Sequence, residues 1–221
     1  MIRVLLADDD ALLRAGVSVV LASAGDIDVV AEAADGLQAV ELCRSTSPDV
    51  ALMDVRMPGV DGIEATRRII AAGLETRVLV LTTFHHDDYV CGALQAGASG
   101  FLLKRASPER LIDAVRTLAA GDALLDPAVT RDLVAQFVGQ GLHRTGAEAP
   151  DRRLAHLTDR ERQVLRLAAE GYSNAEIADL LTIAESTAKT HVKRILAKID
   201  ARDRAQAVVI AYQSRLMSRP D

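Results

Sequence analysis

Aromatic side chains make up only 3% of the 221 residues, and tryptophan is absent. The cores must therefore be built from Leu, Val, Ile and Ala. Long apolar runs are missing too. None approaches the roughly 18 residues that a bilayer-spanning helix needs, and Met1-Ile-Arg-Val opens as a strand rather than as a signal peptide. These absences argue against membrane insertion and point to a cytoplasmic protein. Cysteine is equally scarce. Cys43 and Cys91 have neither CxxC spacing nor histidine-rich company, so they read as two reduced, buried thiols rather than a disulfide or a metal site.

What is present suits two small domains. The length exceeds one average domain, and 49% apolar residues can fill two cores. The formal charge of -5 conceals an asymmetry: residues 152–221 carry 13 Lys+Arg against 9 Asp+Glu, net +4, and the first 151 carry 13 against 22, net -9. An acidic module followed by a basic one suggests different partners, with nucleic acid a candidate for the second.

Through the first 120 residues, short β-type runs (Arg3 to Ala7, Val29 to Ala33, Val50 to Met53, Val78 to Thr82, Gly100 to Leu103) alternate with helical periodicity near Leu12 to Ala22, Leu37 to Arg44, Gly62 to Ala72, Tyr89 to Ala96 and Pro108 to Ala119. Continuously apolar strands alternating with helices imply an α/β domain, a five-stranded parallel sheet covered on both faces. In such sheets ligands gather at the carboxyl ends of the strands. Those ends carry Asp8-Asp9-Asp10, Asp54, Thr82-Thr83 and Lys104.

Clustered carboxylates repel one another unless a cation offsets them. A hard divalent ion is implied, and Mg²⁺ fits best because it prefers oxygen ligands and keeps waters that a phosphate oxygen can replace. Lys104 can neutralise a second phosphate oxygen and Thr82 can hydrogen-bond a third. Together these groups describe a carboxylate, Asp54, prepared to accept a phosphoryl group. Asp10 reads as a cap of the first helix. His85-His86-Asp87-Asp88 looks like a metal cluster on paper but reads better as a solvated loop with a helix cap.

Leu6-Ala7-Asp8-Asp9-Asp10, Met53-Asp54-Val-Arg-Met-Pro58-Gly-Val-Asp-Gly62, Leu81-Thr82-Thr83 and Gly97-Ala-Ser-Gly100-Phe101-Leu-Leu-Lys104 together resemble the receiver domain of bacterial response regulators over residues 1–120. The resemblance implies a flavodoxin-like sheet of order 2-1-3-4-5. It makes Asp54 the phospho-acceptor, gives Mg²⁺ to Asp8, Asp9, Asp54 and the backbone carbonyl of Arg56, and puts Lys104 on the phosphate. It also casts Thr82 and Phe101 as a switch, the hydroxyl moving toward the phosphate and the ring following inward. Relatives with an acid or amide two residues after the acceptor or two after the switch Thr can align an attacking water. Arg56 and Phe84 stand there instead, which predicts slow loss of the phosphoryl group.

After Gly121, Asp126-Pro127-Ala128 predicts one short helix to about Val138, and the Gly-rich stretch 139–150 predicts a flexible tether in which His143 is exposed. Residues 121–153 are thus a linker. Beyond it, Leu157-Thr158-Asp-Arg-Glu161 and Ser173-Asn-Ala-Glu176 are capping boxes opening two helices, the second running through Leu181. A turn leads to a third helix, Glu185 to Ile199. On it Ala188, Val192, Ile195, Leu196 and Ile199 form an apolar stripe, while Ser186, Lys189, Thr190, Lys193 and Arg194 cover the other side. Two helices joined by a tight turn, the second longer and more basic, form a helix-turn-helix pattern suited to the major groove of double-stranded DNA.

Residues 154–221 form this small all-α domain. Leu157-Thr-Asp-Arg-Glu161, Gly171-Tyr-Ser-Asn-Ala-Glu-Ile-Ala178 and Thr187-Ala-Lys-Thr-His-Val-Lys193 resemble the LuxR-type helix-turn-helix domain, which with the receiver makes the NarL/FixJ type of response regulator. The resemblance turns Lys189, Thr190 and Lys193 toward DNA, with Arg194 adding a phosphate contact and His191 packing at the core edge. Ala184 departs from the family by standing where Ser or Thr usually caps the recognition helix, and Ala188 replaces a usual Val. A last helix, Arg204 to Met217, covers the domain and in the family supplies a dimer contact. The expectation is a transcription regulator phosphorylated on Asp54 by a sensor histidine kinase, dimeric when active, binding paired half-sites, and not a turnover enzyme. A phosphatase of the haloacid-dehalogenase type would need a second acid where Arg56 stands. A regulator of the same architecture that works without phosphorylation would leave the acidic pocket and Lys104 without a purpose.

Overall fold

The structure, a computed structural model, describes residues 1–82, 87–121, 152–214 and 216–217. The chain divides into two compact units, Met1–Leu124 and Leu125–Asp221. Phe84, the His85-His86 pair, the short helix expected at 127–138 and the tether at 139–150 lie outside the described residues.

In the first unit the elements run β1 (Ile2–Ala7), α1 (Ala11–Ala22), β2 (Ile27–Ala33), α2 (Gly36–Thr46), β3 (Val50–Asp54), α3 (Gly62–Ala71), β4 (Arg77–Thr82), α4 (Asp87–Ala96), β5 (Gly100–Leu103) and α5 (Pro108–Ala119). The strands form one parallel sheet of order β2-β1-β3-β4-β5. Alternate side chains point to opposite faces. Val4, Leu6, Val50, Leu52, Leu79, Leu81 and Leu102 share one cluster with Leu21 of α1 and Leu111, Val115 and Leu118 of α5. Leu5, Ala51, Met53 and Val80, from the intervening positions, are as deeply buried on the other face, where α2 meets β1 and α3 meets β3. Burial on both faces is why the inner strands read as unbroken apolar runs. The edge strand β2 begins at Ile27, two residues before the apolar run, because its exposed positions tolerate Asp28 and Glu32.

Strand register brings the polar ends together. Ala7 pairs with Met53 and Asp54 with Leu81, so Asp8, Asp54 and Thr82 emerge from three adjacent strands. Thr82 pairs with Leu103, and the Lys104 N–H donates to the Thr82 carbonyl at 2.8 Å. The strand order reverses between β1 and β3, the place where a parallel sheet opens a crevice. After β3 the chain turns sharply. Gly59 takes a left-handed φ of 72°, and the Gly62 N–H donates to the Val55 carbonyl at 3.0 Å. A Cβ on Gly62 would overlap the Asp54 carbonyl, so only glycine lets α3 start against the strand tip.

The second unit has a 3₁₀ turn (Arg152–His156), α6 (Asp159–Ala169), α7 (Asn174–Leu181), α8 (Glu185–Ile199) and α9 (Arg204–Gln213). Both capping boxes form, Thr158 with Glu161 and Ser173 with Glu176. Val164, Leu165, Ile177, Ile195, Ile199 and Val208 meet in one core. Helix α9 ends at Gln213 and not at Met217, with Ser214 as its C-cap, the Ser214 hydroxyl donating to the Ala211 carbonyl at 3.2 Å, and Leu216 buried from a turn. Tyr212 ties α9 to α6 by donating to the Ala169 carbonyl at 3.0 Å.

Two glycine substitutions separate close approach from mere flexibility. Gly62→Ala is expected to lower the stability of the N-terminal unit by about 1–3 kcal/mol through overpacking. Gly16→Ala, in α1 with nothing within 4 Å of its Cβ position, is expected to raise it by about 0.5–1 kcal/mol. Urea midpoints read both, and a neutral Gly62→Ala contradicts the packing described.

Candidate functional site

Asp8 follows β1 and Asp54 ends β3. Both carboxylates are buried, at 4% and 7% exposure, whereas Asp9 is exposed. One ligand atom from each of the three lies within 4.8 Å of the others. Lys104, following β5, sets its ammonium 2.6 Å from Asp8 Oδ2 and 3.0 Å from Asp54 Oδ1. Asp10 serves as the N-cap of α1, accepting from the Leu12 and Leu13 N–H groups at 2.9 and 3.2 Å. Its own N–H donates to Asp8 Oδ1 at 3.0 Å, which fixes the Asp8 carboxylate from the other side.

One ammonium cannot neutralise two buried acids. Burial, with the Asp8 charge adding to it, pushes the Asp54 carboxyl above its ordinary range despite Lys104. Burial opposes the Lys104 charge as well, but hydrogen bonds to Asp8 and Asp54 outweigh it and raise the lysine. The pocket keeps an unmet demand for positive charge. Its donors are all carboxylate oxygens, the set that a hard divalent cation such as Mg²⁺ takes, with no nitrogen or sulfur among them to favour a softer metal.

Thr82 is buried at the end of β4, and Phe101 is buried in β5, opposite Val80. Arg56 lies exposed in the loop after β3. The sheet ends thus bring Asp8, Asp9, Asp54, Thr82 and Lys104 together, with Phe101 on β5 two residues before Leu103, the partner of Thr82. A further residue belongs beside them. Arg14 of α1, with its side chain only 16% exposed, donates from Nη1 to the Asp8 carbonyl at 2.5 Å and has Nε 3.5 Å from Glu32 Oε2. It is the one charged residue of α1, a cation in an otherwise apolar and small helix beside the strand end. That isolation was the available signal.

In the second unit, α8 buries Ala188, Ile195 and Ile199 and exposes Ser186, Lys189, Thr190, Lys193 and Arg194. His191 is half-buried at the margin. Ala184 provides no side-chain cap. Glu185 in the first turn instead pairs with Lys189 at 2.9 Å, and the Thr190 hydroxyl donates back to the Ser186 carbonyl at 2.8 Å. The far end of α8 is pinned by Lys198, whose ammonium lies 2.7 Å from the buried Glu161 carboxylate. Burial opposes the Glu161 charge, but Lys198 and the Thr158 N–H and hydroxyl hold its carboxyl below the usual range.

Residues 4–116 match the family of response regulator receiver domains, and residues 155–211 match the bacterial regulatory proteins of the luxR family. The chain belongs to the response regulators.

Among the relatives of this regulator, the transcriptional regulatory protein YxjL of Bacillus subtilis is 43% identical, with 98% of this chain and 97% of that protein covered. The nitrate/nitrite response regulator NarL of Escherichia coli is 39% identical, with 96% of each chain covered. Among solved structures, the response regulator ChrA of a heme-sensing two-component system is similar at 37% identity and a TM-score of 0.53, with 97% of this chain and 98% of that one covered. The response regulator described here is accordingly a DNA-binding transcription regulator of a two-component system. Among the described residues, no helix is long and apolar enough to cross a membrane.

Lys193 is exposed outside the apolar stripe and, among the described residues, forms no salt bridge, whereas Lys189 pairs with Glu185. Lys193→Ala is expected to weaken DNA binding and to lower the slope of log K against log salt by about one unit if the ammonium meets a phosphate. An unchanged slope, read by fluorescence anisotropy over a salt series, removes it from the phosphate contacts.

Proposed function

We propose that Asp54 is the phosphoryl acceptor through which a sensor histidine kinase controls DNA binding by this regulator. The observation that carries the reading is the shared Lys104 ammonium, 2.6 and 3.0 Å from two buried carboxylates at the sheet's switch point. An Asp54 oxygen attacks phosphorus, the bond from phosphorus to the donor imidazole breaks, and an acyl phosphate forms. The Asp8, Asp9 and Asp54 carboxylates, with the Arg56 carbonyl, would hold Mg²⁺, which would neutralise phosphoryl charge when bound. Lys104 orients one phosphate oxygen as a point charge, and the Thr82 hydroxyl can donate to another. Positioning and charge compensation carry most of such a transfer.

Turnover is not the purpose of the site. Arg56 offers no base for an attacking water, and neither does the aryl side chain of Phe84, so the acyl phosphate decays over many minutes or longer. Thr82 turning to the phosphate and Phe101 packing behind it link the site to the far face of β4 and β5. Phe101 has no hydroxyl, so this switch works by packing alone. Phosphorylation then shifts a population toward a homodimer in which two α8 helices meet paired half-sites on double-stranded DNA. Lys189, Thr190, Lys193 and Arg194 make the contacts, Lys189 on release from Glu185 and Thr190 through its free lone pairs. A cytoplasmic location follows from DNA as the target.

Acetyl phosphate with Mg²⁺ is expected to label the wild-type chain and not Asp54→Asn, read by intact mass. Retained labelling in the variant would place the acceptor elsewhere, and a label lost within seconds contradicts the slow decay.

A further inference from the structure

The Asp8 residue is held at four points. Its N–H donates to the Ala33 carbonyl at 3.1 Å. Its Oδ1 accepts from Asp10, and its Oδ2 faces Lys104. The fourth is its carbonyl, taken by Arg14 at 2.5 Å. That carbonyl belongs to the peptide joining Asp8 to Asp9. A peptide is planar, so fixing the direction of its C=O fixes its N–H and the bond on which the Asp9 side chain is mounted. Asp9 is exposed, and its carboxylate depends on this backbone for its place.

Arg14 is itself braced. Its side chain is 16% exposed, and the Glu32 carboxylate on β2 forms an ion pair with it, 3.5 Å from Nε. The Nη1 hydrogen bond holds the Asp8 carbonyl and the Glu32 ion pair ties the guanidinium to β2, so Glu32, Arg14 and the Asp8 carbonyl form a strut from the edge strand to the peptide between two carboxylates. We propose that Arg14 is a positioning residue for the cation of the acidic pocket, setting the separation at which Asp8 and Asp9 present their oxygens. The inference rests on the reading of that pocket as a Mg²⁺ site.

Geometry and charge make opposite demands here. Removing a cation from the neighbourhood of three acids strengthens metal binding if only charge matters, whereas loss of a strut weakens it. The two divalent ions separate the effects further, because Mg²⁺ needs near-ideal octahedral geometry and Ca²⁺ accepts irregular sites.

Isothermal titration of the unphosphorylated full chain with MgCl₂ and with CaCl₂ tests this without any transfer reaction. For Arg14→Met the Mg²⁺ dissociation constant is expected to rise about tenfold, the scale on which groups supporting metal ligands act. The Ca²⁺ constant is expected to rise by less than about threefold, given the tolerance of that ion. Arg14→Lys keeps the charge without the fork. It is expected to weaken Mg²⁺ binding in the same direction at an unchanged melting temperature, and it carries the test if the Met variant does not fold. Unchanged or tighter Mg²⁺ binding, or equal losses for both ions, overturns the proposal while leaving the pocket a metal site. A wild-type chain with no Mg²⁺ heat overturns the metal reading and this inference with it.

Discussion

A single ammonium shared by two buried carboxylates is the constraint on which the N-terminal unit turns. Lys104 reaches Asp8 and Asp54 from the far side of the sheet, and it can do so only because register aligns the ends of β1, β3 and β5. Burying ions is costly unless geometry and hydrogen bonds compensate. Here compensation is incomplete, and burial, with the Asp8 charge adding to it, leaves the Asp54 carboxyl raised. A fold selected only for stability has no reason to keep that deficit. A site that must admit a cation, and then a phosphoryl group, has every reason to.

The loops around the pocket follow from the same demand. Gly62 lets the first turn of α3 lie against the Asp54 carbonyl, and Asp61 caps that helix by accepting from the Glu64 N–H at 2.8 Å. Asp10 both caps α1 and steadies Asp8. The helices that cover the sheet are in this sense also the clamps of the site. The C-terminal unit answers a different requirement, that of offering a rigid cationic face. Its apolar core and the Glu161 to Lys198 pair hold α8 at both its stripe and its far end, and the uncapped start at Ala184 is where it is least supported.

Much of this was legible in the residues. The β/α alternation, the abrupt stop of Val50 to Met53 at an acid, and the two capping boxes are local patterns, and local patterns survive the passage from sequence to structure. Residues spread over four strand ends could be joined into one site because parallel sheets bring those ends to one edge. What was not legible depends on distance along the chain or on atoms that no motif reports. The Arg14 grip on a backbone carbonyl has no side-chain partner to betray it. The Glu161 to Lys198 pair spans 37 positions, the Thr190 hydroxyl turns inward to its own helix, and α9 stops at Gln213, before the periodic pattern ends. The roles of Arg56 and Phe84 rest on the family pattern alone.

The raised state of the buried Asp54 carboxyl can be read directly. The measurement is a ¹³C-carboxyl NMR titration of the full chain, without Mg²⁺ and at saturating Mg²⁺. A raised acid binds its proton in the folded state at pH values where the unfolded chain has released it, so stability falls as pH climbs from the ordinary carboxylate range toward the folded value. The expected result is an Asp54 carboxyl that titrates above the usual range without Mg²⁺ and drops when the ion is added, while the Asp54→Asn chain lacks the resonance. An Asp54 that titrates at or below the usual value and ignores Mg²⁺ would contradict the account.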